Sequence, residues 1–214
     1  MKCPCPTPPG IPDIPDFDCE FKMDQIVRLM FQLIQPGNAS TFTAVAGGGL
    51  EDIAAIDAGR ALVATDPARL VLTPYFGGMV IPPSEAQTEG GNDNSTPFGV
   101  AIDLGETSVT VNGLFRNIPP AVKRALDAYR CLSQSAFGAP RIGAYFINKE
   151  GEIFHNLNTG GLPVGIPLYN FRTSSRGSEG FNQADKVNFG FGLQSNWDNN
   201  LVKTIPNYGL VELT

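Results

Sequence analysis

Two stretches of this chain alternate apolar and polar residues without a break, and that period of two restricts the fold more than any other feature. In TSVTVNGLF, Val109, Val111 and Phe115 fall on one side, with Ser108, Thr110 and Asn112 on the other. In KVNFGFGLQ, Val187, Phe189, Phe191 and Leu193 share one face, opposite Asn188, Gly190, Gly192 and Gln194. Successive side chains of a strand point to opposite faces, so each stretch reads as a strand with one buried side. The paired glycines of the second leave room for another backbone or a large ring to approach.

The rest of the chain extends this β reading. RIGAYFINKEGEIF is a hairpin in which Asn148-Lys149-Glu150-Gly151 forms the turn, with Gly151 in the left-handed conformation. Its first strand places Ile142 and Phe146 on one face and Tyr145 and Ile147 on the other, so it must be covered on both sides. RLVLTPYFGGMVIPP and IPLYNFRT are strand-like. DQIVRLMFQLIQPG is buried, and either a helix capped by Asp24 or a strand fits it. The spacing predicts a helix over 119–133, where two prolines occupy the first turn and Val122, Ala125, Leu126, Tyr129 and Leu132 follow the core-facing pattern. AVAGGGLEDIAAIDAGRALVATDP reads as a glycine hinge followed by a helical patch. SEAQTEGGNDNSTP, residues 84–97, is polar and aperiodic, a long loop leading into a ribbon that turns at Leu104-Gly105-Glu106.

Gly (24) and Pro (18) are plentiful and charged residues make up only 17%, which favours strands and turns over a helical bundle. The expected fold is mainly β (α+β), an antiparallel β-sandwich or partly closed barrel with one flanking α-helix and an extended N-terminal arm. Residues 1–22 form that arm and residues 23–214 a single β-rich domain. Pro4, Pro6, Pro8, Pro9, Pro12 and Pro15 crowd the arm, remove backbone donors and hold it extended. Such a segment gains fixed structure only by lying on another surface.

The chain carries 21 acidic and 15 basic residues, a net charge of −6, which weighs against general phosphate binding. It leaves room for a repulsive surface along which DNA passes without sticking. No apolar run reaches the length of a membrane span, and prolines rather than an apolar segment follow Lys2. A cytoplasmic origin with reduced thiols is the expectation.

Catalytic and metal chemistry find little support. His155 stands alone as the sole histidine and is expected to be a polar strand-end residue. Asp13, Asp16, Asp18 and Glu20, and Glu51 with Asp52, are the dense carboxylates, but nothing fixes a pair at catalytic separation. Cys3, Cys5 and Cys19 lie in the arm, with Cys131 expected to be buried on the helix. Packing ranks first for them, a Cys5–Cys19 disulfide second, and a metal site completed by Cys131 or His155 third. Asn38 and Asn94 match the glycosylation pattern by chance. We therefore expect no enzyme activity, no catalytic residues, no metal and no cofactor.

The segments CPTPPGIPDIPDFDCEFKMDQIVRLMFQ, RALVATDPARLVLTPYFGGMVIPP, TEGGNDNSTPFGV, IPPAVKRALDAYRCL, IGAYFINKEGEIF and NFGFGLQSNWDNNLVK together resemble structural proteins of tailed bacteriophages, especially those of Bacteroidetes hosts. Among these the layout is most similar to a tail-tube protein. The resemblance implies a β-sandwich with a flanking helix, a long loop within a hairpin, and subunits stacked as rings, often hexameric, around a channel for DNA. Residues 84–97 would be that loop, 120–132 the helix and 1–18 the arm. It further implies a virion protein assembled in the host cytoplasm, contacting its own copies and other phage structural proteins, with DNA only as passing cargo and no membrane. The proline- and cysteine-rich start departs from the pattern and leaves a neck, connector or capsid-associated role open. A carbohydrate-binding module or an enzyme is the remaining alternative, motivated by the aromatic strands and acidic pairs.

Overall fold

The computed structural model describes residues 21–33, 70–91, 100–133, 142–157, 161, 163–178, 180 and 183–206. Among them the architecture is two antiparallel sheets packed face to face, one helix on their flank, and a separate two-stranded ribbon. No sheet closes into a barrel, so the sandwich expectation holds.

The first sheet runs β13 (Leu201–Thr204), β8 (Ile153–Leu157), β7 (Ile142–Asn148), β1 (Ile26–Leu33) and β2 (Leu70–Leu72). Short strands β9 (Pro163–Val164) and β10 (Ile166–Pro167) add to β8 and β7. The second sheet runs β11 (Tyr169–Thr173), β12 (Lys186–Leu193), β6 (Val109–Arg116) and β3 (Phe76–Val80). Between them Leu29, Phe31, Ala144, Phe146 and Phe154 meet Val111, Phe115, Phe171, Phe189 and Phe191 in one buried cluster. Ring pairs bridge the layers, Phe31 to Phe171 at 5.3 Å and Phe146 to Phe191 at 6.2 Å between centroids. Edge-on and tilted contacts of this kind add to the area term that drives the layers together.

β1 settles the helix-or-strand ambiguity. Asp24 has φ +52° and caps nothing helical; the chain enters a strand that pairs with β7 over most of its length. Both faces of this central strand are withdrawn from water, which explains its apolar character all round. β7 is likewise buried at all seven positions, with Tyr145 and Ile147 as inaccessible as Ile142 and Phe146. The hairpin turn is as expected: Gly151 has φ +85°, and the Asn148 Oδ1 accepts the N–H groups of Glu150 (3.0 Å) and Glu152 (2.9 Å).

Two stretches that look like single strands each cross between sheets. RLVLTPYFGGMV divides into β2 and β3 at Thr73–Tyr75. There Thr73 bonds Leu29 through its N–H (2.8 Å) and its Oγ1 (2.9 Å), while the Arg28 Nε donates to Thr73 O at 2.9 Å. The Arg28 guanidinium lies 4.5 Å over the Tyr75 ring. IPLYNFRT divides at Leu168, with β10 in the first sheet and β11 in the second.

Helix α1 spans Pro120–Ser133. Leu126 is buried and Val122 and Tyr129 pack on the core, the latter ring 4.8 Å from Phe31, but Ala125 is exposed. Thr173 of β11 donates to Asp127, which also pairs with Lys123 at 2.7 Å, fastening the helix to the second sheet.

The region before β6 differs from expectation. Residues 84–97 are not a plain loop, because Ala86–Glu89 is strand β4, paired with β5 (Ile102–Glu106). Leu104-Gly105-Glu106 is therefore not a turn, and β5 does not pair with β6, whose edges are taken by β12 and β3. Gly105, at φ +100°, sits in an irregularity of the β4–β5 ladder instead. A left-handed glycine is compatible with either, which is why sequence placed a turn there. The glycine hinge and helical patch, and residues 1–20 of the arm, lie outside the described residues; at the arm's end the Phe21 ring packs edge-on against Phe154 at 5.8 Å.

Candidate functional site

Two surfaces stand out, and both follow from strand sequence. On the outer face of the second sheet, Gly190 and Gly192 form a floor, since Phe189, Phe191 and Leu193 point inward. A β-bulge shapes what stands over it. Tyr169 pairs with Gly192 and Arg172 with Gly190, so three steps along β11 match two along β12. Asn170 absorbs the extra residue at φ +52°. In a regular ladder positions 169 and 172 would face opposite ways; the bulge puts both beside the glycines. Residues Ser108, Thr110, Tyr169, Asn170, Arg172 and Gln194 line a groove of about 290 Å³ there. Burial pushes the Tyr169 phenol above its usual range, so the rim presents it as a neutral hydroxyl.

The glycines play different parts. A β-carbon on Gly190 would lie 2.8 Å from Asn112 Oδ1 and 3.7 Å from Arg172 Nε, so the chain's own side chains already fill that space. On Gly192 the nearest atoms, Tyr169 Cβ and O, would be 3.6 Å away, ordinary contact distance, so that position has room for a methyl-sized group but no more.

Charge is distributed unevenly. β3, β6, β11 and β12 contain no Asp or Glu, and their charged residues are Arg116, Arg172 and Lys186. Arg172 is exposed and has no carboxylate partner among the described residues. The second surface, the β4–β5 ribbon, is the reverse. Ser84–Ser108 contains Glu85, Glu89, Asp93, Asp103 and Glu106 and no Lys or Arg. Every residue of β4 and β5 is exposed, including Ile102 (48%) and Leu104 (57%), with Val100 beside them at 64%. At its base Ser84 Oγ donates to Glu106 Oε2 at 2.7 Å, and Thr107 N–H to Glu85 O at 2.8 Å.

The residues weighed for chemistry are not gathered. His155 is not a strand-end residue: it lies at the middle of β8 and is fully buried. Its Nδ1 is 3.1 Å from Asn156 O, which can only accept, so the proton sits on Nδ1 and Nε2 accepts from Thr204 Oγ1 at 2.9 Å. Both nitrogens are used, leaving none for a metal or a substrate. Burial pushes its pKa down. Cys131 is exposed on α1 rather than buried. No group of three or more metal-ligating side chains occurs among the described residues. Cys3, Cys5, Cys19, Asp13, Asp16, Asp18, Glu20, Asn38, Glu51, Asp52 and Asn94 fall outside those residues. Among the described residues no helix is long and apolar enough to cross a membrane.

Sequence reading flagged the glycine pair but missed Tyr169 and Arg172 as its neighbours. The available signal was Asn170, a residue type that tolerates the left-handed conformation and so marks a bulge. No family model matches the chain, and no curated protein or solved structure matches it either.

Proposed function

We propose that the chain is a structural protein of a virus particle, one that self-assembles through its own copies. Within that class we read it as a tail-tube subunit of a tailed bacteriophage, whose stacked rings conduct DNA. The observation that carries this reading is the β4–β5 ribbon, with Val100, Ile102 and Leu104 held in water and neither outer strand edge paired among the described residues. A two-stranded ribbon with apolar side chains and free edges is marginal in water by itself and gains stability when a partner covers it. The sandwich with a flanking helix agrees with the layout that the sequence resemblance implies. The proline-rich start, expected from its sequence to be an extended arm, would be a second segment for such a contact.

The Ile142–Ile147 strand and the Phe189 and Phe191 pair need no neighbour, because the single chain already buries them.

Negative-stain electron microscopy of the purified full-length protein tests the reading. Stacked rings or tubes support a tail tube. A single closed ring that never stacks would move the protein to a connector or neck position, and particles of monomer size at every concentration would overturn self-assembly.

A further inference from the structure

We propose that the acidic β4–β5 ribbon of one copy docks on the acid-free outer face of the second sheet of the next, over the Gly190–Gly192 floor and against Arg172. This rests on the self-assembly reading and names its contact. The two surfaces are complementary in each respect that the chain displays. The ribbon brings Glu85, Glu89, Asp103 and Glu106 with no cation; the sheet brings Arg116 and Arg172 with no carboxylate in any of its four strands. In a chain with 21 acidic residues against 15 basic, segregation this complete leaves opposite charges facing outward on separate patches.

Shape agrees with charge. The ribbon is a narrow projection, its exposed apolar residues Ile102 and Leu104 at alternate positions of one strand. The receiving face has a groove of about 290 Å³ lined by Tyr169, Arg172 and Gly192, with no side chain of its own at Gly192. Arg172 offers a planar fork of donors suited to a carboxylate, and Tyr169 an apolar ring with a hydroxyl tip. Across the sheet, at the far end of the row Arg172, Gly190, Asn112, Val80 on the opposite edge strand β3 stands 66% exposed, as apolar surface on the same sheet.

Two different patches on one chain make a head-to-tail contact. Repeated, such a contact gives a ring when the rotation closes and a filament when it does not. A self-complementary patch would stop at a dimer. The ribbon-to-sheet contact therefore leads to the assembly geometry that rings demand.

Charge reversal in the full-length protein provides the test, read by sedimentation velocity and negative stain at a concentration where wild type assembles. Glu89→Arg on the ribbon and Arg172→Glu on the sheet both alter exposed side chains, and unchanged thermal melting confirms that each variant folds. Each alone is expected to lose assembly. An equimolar mixture of the two is expected to regain it, because each ribbon then finds a face of opposite charge on the other variant. Raising salt from about 0.15 M to about 1 M shortens the screening length from about 8 to about 3 Å and is expected to weaken wild-type assembly. If wild type assembles and both variants do so equally well, or if mixing restores nothing, this contact is wrong while self-assembly stands. If wild type itself stays monomeric, the self-assembly reading fails and the contact with it.

Discussion

At Gly113 the β6 backbone passes beneath the Phe189 ring, whose Cζ would lie 2.3 Å from a β-carbon at that position. Phe189 also contacts Phe76 (4.9 Å) and Phe115 (4.6 Å), so it cannot step aside without disturbing the aromatic core. Gly113→Ala should therefore destabilise the fold by about 1–3 kcal/mol in chemical denaturation, the usual cost of overpacking. Gly192→Ala, where the nearest atom is 3.6 Å away, should change stability by less than about 1 kcal/mol. His155 gives a pH prediction with a definite sign. Burial lowers its pKa in the folded state below the ordinary value of 6.5, so near and below that pH the unfolded chain binds a proton that the native chain refuses. This contribution to stability is fully present above pH 6.5 and is lost as pH falls through the window between the unfolded value and the lowered native one. His155→Gln should flatten that acid limb in denaturation series at pH 5 to 7, taken as roughly the histidine range; an unchanged limb would assign it to other groups.

The elements divide into those legible in sequence and those that tertiary context decided. β6, β12, the β7–β8 hairpin and α1 were legible because one physical signal dominated each: alternation, a turn asparagine with Gly151, or a helical stripe behind Pro119 and Pro120. β1 was ambiguous because a strand buried on both faces has no polar phase to read. The crossings at Thr73 and Leu168 were invisible, since a strand that changes sheets keeps its local composition. The β4–β5 ribbon was misread for the opposite reason: with every residue exposed, no buried face imposes a pattern. That exposure has a dynamic consequence. Amide exchange in the free subunit should be fast across Ala86–Glu89 and Ile102–Glu106 and slow across Leu29–Phe31 and Tyr145–Ile147. Assembly should slow the ribbon selectively. Equal protection in free and assembled protein would detach the ribbon from any contact between copies.

Taken whole, the molecule has a finished interior and an unfinished exterior. The two sheets bury their aromatic residues against each other, whereas an apolar, acidic ribbon and an acid-free sheet face are left outside. Of the groove, sequence exposed only the glycine pair; the partners that the Asn170 bulge brings beside it belong to three-dimensional register. The central claim is that the chain completes itself with further copies. The mass of full-length protein in solution, followed by sedimentation across a dilution series, measures this most directly. Species that are whole multiples of 22.9 kDa, growing with concentration and receding at high salt, are expected. A single species of 22.9 kDa throughout, unaffected by salt or concentration, would contradict it.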